Sequence, residues 1–162
     1  MSDYTIPAAT TIGHVHLKVS DLPRALAFYR DVLGFELQML YGTQAAFLSA
    51  GGYHHHLGLN TWESAGAAPG PRRAPGLYQV AILFPTERDL AIAVKRVVAA
   101  GISLTGASDH GVSKAIYLDD PDGNGIELYW DRPREEWPRN PDGTLTMYTR
   151  ALDLDGLLSL AP

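Results

Sequence analysis

Side chains at four positions of the sequence could together bind a metal ion. His14 lies in the segment HVHLKV, and His56 closes the run of three histidines in YHHHLGLN. Gln79 and Glu127 lie in the other half of the chain, in YQVAILF and IELYW. Two imidazoles, one carboxylate and a neutral amide suit a divalent ion such as Fe(II), Mn(II), Ni(II) or Zn(II). Two histidines and one carboxylate with open positions are also the ligand arrangement of non-haem iron oxygenases.

The segment that contains His14 has the pattern of a β-strand. Residues 12–19 alternate, with Val15, Leu17 and Val19 on one face and the histidines on the other. A period of two is typical of a strand with one buried apolar face. We therefore expect the apolar face to pack under a helix and the histidines to point to the opposite face of the sheet.

The rest of the first half predicts one helix and three more strands. Asp21 offers an N-cap, Pro23 falls in the first turn, and Gly34 follows as the residue that ends the helix. These signals bound a helix over 22–33. Three stretches with the character of strands come next, at 35–41, 44–49 and 53–60.

The second half repeats this order of elements. Residues 77–84 predict a strand, and Thr86 caps a helix over 87–100. Short strands are expected near 102–105 and 113–119, and after the tight turn DPDGNG a last strand over 126–130.

The repeated order predicts an α+β fold made of two βαβββ modules that form a cup. The modules are placed in a single domain, 1–162, as follows: first module 12–60, a linker rich in Ala, Gly and Pro at 61–76, second module 77–131, and a C-terminal extension 132–162. The extension includes LDLDGLLSL, a candidate short helix that could pack on the module or on a second subunit.

The repeat also relates the four candidate ligands to one another. His14 of the first strand corresponds to Gln79, and His56 of the fourth strand corresponds to Glu127. If the two modules oppose the faces that carry these residues, all four side chains converge inside the cup. The same alternation predicts that His55 faces away from its two neighbours.

Composition excludes several classes of protein. The chain has 46% apolar and 19% charged residues, as soluble globular proteins do, and its net charge of -5 argues against a nucleic-acid partner. It contains no cysteine, which rules out disulfides, thiol catalysis and iron–sulfur clusters. No apolar run reaches the roughly 18 residues of a membrane span, and the first residues lack the pattern of a signal peptide. A cytoplasmic location and no membrane partner are therefore expected.

Two longer motifs resemble a known family. The segment HVHLKVSDLPRALAFYRDVLGF resembles the opening strand and helix of the vicinal oxygen chelate superfamily, and DPDGNGIELYW resembles its closing strand. This superfamily comprises glyoxalase I, bleomycin and fosfomycin resistance proteins, and extradiol dioxygenases. YHHHLGLNTW and the region from DHGVSKAIYL onward resemble more narrowly the proteins described as similar to catechol-2,3-dioxygenase.

The resemblance implies a metal-dependent oxidoreductase that cleaves the ring of a catechol-like small molecule, with Fe(II) as the foremost metal. It implies ligands from the first and last strands of each module, which again selects His14, His56, Gln79 and Glu127. Extradiol dioxygenases usually have a histidine at the position of Gln79. Two alternatives stay open: a metal-dependent lyase or isomerase of the glyoxalase type, and a non-catalytic protein that binds a drug in the cup.

Three further histidines are candidates for acid–base catalysis in such a reaction. His110, in the loop SDHGVS, could move a proton near neutral pH, or it could simply bond to its own turn. His54 and His16 are second choices on the cup face. Modules of this superfamily pair within one chain or across a dimer, and we expect a homodimer.

Overall fold

The computed structural model describes residues 4–162 and contains two modules of the predicted order. In the first module a strand is followed by a helix and three strands. The helix is α-helical in its first turn and π-helical in the remainder. Its elements are β1 Val15–Lys18, α1 Leu22–Leu26 with the π-helical part Ala27–Val32, β2 Glu36–Tyr41, β3 Ala45–Ser49 and β4 Leu57–Asn60.

The second module repeats the order and is followed by the C-terminal extension. Its elements are β5 Val80–Leu83, α2 Glu87–Ala99, β6 Leu104–Asp109, β7 Ser113–Asp119 and β8 Gly125–Asp131. The extension contains a 3₁₀ turn, Arg134–Glu136, a short strand β9, Arg150–Ala151, and a helix α3, Leu154–Leu158. The prediction of two βαβββ modules is confirmed. None of the helices formed by residues 4–162 combines the length and apolar character needed to cross a bilayer.

Each module forms one mixed sheet with the same arrangement. The strand orders are β1-β4-β3-β2 and β5-β8-β7-β6-β9. The first and last strands of each module pair in parallel, with Val15 opposite Leu57 and Val80 opposite Ile126, while the other pairs are antiparallel. This topology places the first strand of each module at a sheet edge, so β1 and β5 both have one unpaired side.

The helices form where the sequence offers caps and an apolar stripe. The Asp21 side chain accepts from the backbone N–H of Arg24, and Thr86 does the same for Asp89. Both bonds satisfy N–H groups that have no partner within the helix. Each helix then buries its apolar stripe against its own sheet. The two helices and both sheets share one hydrophobic core.

A buried polar contact joins the modules. Tyr29, in the π-helical part, is fully buried and its hydroxyl donates to Asp120 Oδ2 at 2.8 Å. Asp120 begins the DPDGNG turn of the second module, and its other oxygen accepts from the backbone N–H groups of Asp122 and Asn124. The carboxylate therefore holds the turn and receives the tyrosine of the other module at the same time.

The same turn also contacts the start of the first helix. Asp122 accepts from the backbone N–H and the hydroxyl of Ser20, and from the guanidinium of Arg24 at 2.7 Å. The Asp122 side chain is largely buried in this contact. Together with the tyrosine contact, these bonds fix the orientation of one module relative to the other.

The predicted strand 53–60 is wrong in its first half, because β4 begins only at Leu57. Gly51 and Gly52 both adopt positive φ angles, of 67° and 75°, which glycine reaches without steric cost. The chain leaves this turn in an irregular conformation, so residues 53–56 do not follow strand alternation throughout.

The C-terminal extension packs on its own chain. Leu157 of α3 is buried in the common core, and the Lys95 side chain of α2 donates to the carbonyls of Ala161 and Pro162. Strand β9 pairs with β6 through Ala151 and Arg150. Of the two placements that the sequence leaves open, the structure contains the packing on the module.

Candidate functional site

A cavity of about 940 Å³ lies where the unpaired edges of β1 and β5 approach each other. Its wall is mostly apolar, from Leu33, Phe35, Phe84 and Ile92 on the side of the helices. Four polar side chains with ligand character line it as well: His14, His56, Gln79 and Asp89. The cavity is therefore shaped by both modules and brings the histidine strand of one near the glutamine strand of the other.

Gln79 and Glu127 form a hydrogen-bonded pair in the second module. Gln79 immediately precedes β5, and the parallel pairing of β5 with β8 places Ala81 opposite Glu127. The Gln79 amide nitrogen donates to Glu127 Oε2. Burial raises the pKa of the Glu127 carboxyl above its usual value. None of the salt bridges formed within residues 4–162 includes this carboxyl group.

Tyr117 lies next to this pair and was not identified from the sequence. It is opposite Glu127 in the β7–β8 ladder, and its hydroxyl lies 3.4 Å from Glu127 Oε1. Burial, followed by the nearby carboxylate of Glu127, raises the pKa of Tyr117 to about 12, which keeps the phenol neutral. The sequence contained a signal for this residue. The repeat relates the segment AIYL to AAFL, and each segment has one aromatic residue, Tyr117 or Phe47, between buried residues.

His110 connects to the same group of side chains. Its Nε2 lies 2.7 Å from the Tyr117 hydroxyl, and its Nδ1 lies 3.0 Å from the backbone carbonyl of Tyr148. The histidine is thus linked to Glu127 through Tyr117. The prediction placed His110 near the cup, and it left open a mere turn contact. The structure gives it a side-chain partner, Tyr117, that also approaches Glu127.

The histidines of the first module form a separate cluster. The rings of His14 and His55 have centroids 4.4 Å apart, and the Nδ1 atoms of His54 and His55 are 2.7 Å apart. The ring of Phe47 lies against His55 at 5.1 Å. The expectation that His55 faces away from His54 is wrong, because β4 has not yet begun at these residues and alternation does not apply.

His56 has different neighbours. Its Nδ1 accepts a hydrogen bond of 3.3 Å from the backbone N–H of Ala50, and its ring lies 4.8 Å from that of Tyr53. The bond to Ala50 orients the ring toward the turn that precedes β4. In this conformation Nδ1 is occupied, so only Nε2 is available to a ligand in the cavity.

His16 lies on the open face of the first sheet. Its ring contacts Trp62 and Phe47, with centroid distances of 5.6 Å and 5.8 Å. Gly58 is its cross-strand partner, and a Cβ atom at that position would come within 2.8 Å of the imidazole. Burial, with a smaller effect of His14, lowers the pKa of His16. The ring is thus held in an aromatic environment rather than beside Glu127.

The four predicted ligands are brought together only in part. Gln79 and Glu127 are in contact, and Gln79 shares the cavity with His14 and His56. Within residues 4–162, no three His, Asp or Glu side chains lie close enough together to hold a metal ion in this conformation. The complete ligand set remains a prediction.

A sequence profile of the Glyoxalase/Bleomycin resistance protein/Dioxygenase superfamily matches residues 11–128. The chain belongs to this superfamily. The crystal structure of a glyoxalase/dioxygenase from Nostoc punctiforme has a similar fold: it superposes with a TM-score of 0.65 at 19% identity, covering 82% of this chain and all of that one. The superfamily assignment thus agrees with the two mixed sheets described above.

Several curated members of the superfamily are similar in sequence. The chain is 45% identical to Catechol-2,3-dioxygenase of Bacillus subtilis over 94% of its length. It is 34% identical to Biphenyl-2,3-diol 1,2-dioxygenase 3 of Rhodococcus globerulus over 74% of its length. The chain spans 52% of the Bacillus protein and 63% of the Rhodococcus protein, so it corresponds to a part of each.

Proposed function

We propose that this chain is a metal-dependent oxidoreductase that cleaves the ring of a catechol-like small molecule. The observation that carries the proposal is the chain of contacts from His110 through Tyr117 to Glu127, whose hydrogen-bond partner Gln79 lines the cavity that the two modules share. The 45% identity to a protein named Catechol-2,3-dioxygenase supports this reaction over others found in the superfamily. The chain spans about half of that relative, and the activity is proposed here for the chain itself.

The side chains present fit a divalent metal ion in their chemistry. Glu127 is a half-buried carboxylate that pairs with a neutral amide rather than with a cation. A carboxylate in that environment gains from a positive charge. His14 and His56 offer imidazole nitrogens from the cavity that Gln79 also lines, and the amide oxygen of Gln79 is a weaker ligand. A bound divalent ion, with Fe(II) foremost, would supply a Lewis acid and a template for two adjacent substrate oxygens.

The contacts of Tyr117 and His110 support a role in moving a proton. A carbonyl oxygen only accepts hydrogen bonds, so the neutral ring of His110 carries its proton on Nδ1, toward Tyr148. Its Nε2 can then take the proton of the Tyr117 hydroxyl at 2.7 Å. The tyrosine oxygen can in turn accept the proton of a substrate hydroxyl beside Glu127. Among the three predicted acid–base candidates, His110 is favoured, since His54 and His16 contact other aromatic rings instead.

The apolar part of the cavity suits an aromatic ring. Leu33, Phe35, Phe84 and Ile92 present hydrocarbon surface to the cavity, and burial of apolar surface favours binding. Gln79 and the imidazoles lie among the residues that line the same space. A planar substrate with two adjacent hydroxyls matches this combination of apolar wall and localised polar groups.

Oxygen uptake with a panel of catechols tests the proposal. The protein is loaded with Fe(II) without oxygen, mixed with each catechol and exposed to air, and the yellow ring-fission product is recorded. We expect Glu127→Ala to abolish activity and to lower bound iron. Tyr117→Phe should retain iron but lower kcat by about 100-fold, the usual scale for one acid–base group. Tyr41→Phe, at an exposed tyrosine, is the matched control.

Two outcomes would replace the proposal. Turnover of methylglyoxal plus a thiol, without oxygen uptake from any catechol, would indicate the glyoxalase type of reaction. Equal and negligible metal in the wild-type protein and in Glu127→Ala would refute the metal site, and the protein would then be a binding module of the drug-resistance type.

A further inference from the structure

The C-terminal extension contacts the hairpin that carries His110. The matched superfamily region ends at residue 128, and the extension lies beyond it. Strand β9 pairs with β6 at Ser108 and Asp109, next to the histidine. The Tyr148 backbone N–H donates to the His110 carbonyl at 3.2 Å, and the Tyr148 carbonyl faces His110 Nδ1 at 3.0 Å. The extension thus bonds both the backbone and the ring of His110.

A glycine in the hairpin allows the extension to lie close to it. Gly111 is buried and has a φ angle of 79°, and a Cβ atom there would come within 2.7 Å of the Tyr148 ring and 2.8 Å of Pro138. Only a residue without a side chain allows the extension to approach this closely. The guanidinium of Arg150 covers the Tyr148 ring at 4.0 Å. The Tyr148 ring therefore packs between Gly111 and the guanidinium of Arg150.

We infer that the Tyr148 carbonyl sets the tautomer of His110, and with it the direction of the hydrogen bonds from His110 to Glu127. A carbonyl cannot donate, so Nδ1 of the neutral ring must carry the proton, and Thr149 Oγ1, at 3.3 Å, can accept from it as well. Nε2 then has a lone pair and accepts the proton of Tyr117. Tyr148 is a positioning residue in this scheme, since it acts through His110.

The direction of the hydrogen bond between Tyr117 and His110 determines which donors remain for Glu127. The phenol has one proton and two acceptors within reach, His110 Nε2 at 2.7 Å and Glu127 Oε1 at 3.4 Å, and with the Nδ1–H form of His110 the nearer acceptor, Nε2, takes it. The carboxylate is left with the Gln79 amide as its hydrogen-bond donor, and Oε1 stays available to a cation or a substrate hydroxyl. This consequence rests on the proposed function, whereas the tautomer of His110 does not.

Nitrogen NMR of the histidine rings in the metal-free protein tests the inference directly. The chain contains six histidines, and the spectrum of His110→Gln identifies the signals that belong to this one. In the wild-type protein we expect the Nδ1–H form to exceed the Nε2–H form by about tenfold or more, the ratio expected from one hydrogen bond. Tyr117→Phe should retain this excess, because the Tyr148 carbonyl remains. An Nε2–H form as the main species in either protein would overturn the inference.

Moving the extension gives a second measurement. In Gly111→Ala the new methyl group displaces Tyr148 and Pro138, so the excess of the Nδ1–H form should fall by about tenfold, as expected when one hydrogen bond is lost. Gly143→Ala is the matched control, because Gly143 has a similar φ angle of 85° but no neighbour within 4 Å of the added atom. An unchanged tautomer ratio in a folded Gly111→Ala protein would contradict the role of the extension. If that variant does not fold, the wild-type and Tyr117→Phe spectra still decide the question.

The outcome is separable from that of the proposed reaction. The NMR measurement needs no metal, substrate or oxygen. Ring cleavage by a protein whose His110 is in the Nε2–H form would overturn the inference and leave the proposed function intact. The Nδ1–H form in a protein that consumes no oxygen would support the inference and count against the function.

Discussion

Replacing Tyr29 by phenylalanine should destabilise the protein through the contact between its two modules. The substitution removes one oxygen atom from a fully buried side chain and leaves the ring in place, so no large cavity forms. What is lost is the 2.8 Å hydrogen bond to Asp120 Oδ2. Its partner is a carboxylate that is itself only 5% exposed.

The size of the effect follows from the bonds that remain. Oδ2 of Asp120 keeps the Asn124 side-chain amide at 2.9 Å, and Oδ1 keeps two backbone N–H donors. A hydrogen bond to a charged group contributes about 1.5–3 kcal/mol, and the remaining donors place this case in the lower half of that range. We expect a loss of about 2 kcal/mol in the free energy of unfolding. For a chain of this length that corresponds to a fall in Tm of about 4–8 °C.

Urea denaturation followed by circular dichroism measures this loss. The midpoint should fall while the slope stays the same, because the surface exposed on unfolding is unchanged. Tyr41→Phe is the control, since Tyr41 is 63% exposed and should lose less than about 0.5 kcal/mol. Equal midpoints for the two variants would show that the Tyr29 hydroxyl does not stabilise the contact between the modules.

Two more substitutions test the site. Gln79→His replaces the amide that donates to Glu127 by an imidazole, and it should raise the affinity for Fe(II) or Zn(II) by about tenfold or more in a chelator competition assay; an unchanged affinity would exclude position 79 from the metal site. Gly58→Ala places a methyl group 2.8 Å from the His16 ring and should cost about 1–3 kcal/mol in thermal unfolding. Gly70→Ala is the control, because the space around the new methyl group is open and the Tm should not change. Equal Tm values for Gly58→Ala and Gly70→Ala would show that the His16 ring moves aside freely.

The fold could be predicted from the sequence because its signals are local and occur twice. Period-two alternation in the first strand, the caps Asp21 and Thr86, and the turn residues each act over a few positions. The pairing of β1 with β4 and of β5 with β8 is not local. It follows once the two halves are seen as one repeated module, since each module must cover its helix with a single sheet.

The candidate site could be predicted less completely, for two physical reasons. Alternation locates a side chain only inside a strand, and the three consecutive histidines precede β4, so His55 rather than His56 lies beside His14. The prediction of site residues also relied on residue type, which favours histidines and acids over tyrosines as ligands and acid–base groups. Tyr117 has an ordinary pKa near 10 in isolation and becomes relevant only through its position opposite Glu127.

The contact between Tyr148 and His110 shows the limit of pattern-based prediction most clearly. Nothing in the residue types of the C-terminal extension distinguishes Tyr148 from a surface aromatic, because the group that contacts His110 is a backbone carbonyl. Every residue has such a carbonyl, so only the path of the chain decides which one faces the imidazole. That path depends on Gly111, which permits the close approach, and on the pairing of β9 with β6. A side chain with an evident capacity for proton transfer can thus owe its tautomer to a distant segment whose sequence carries no mark of function.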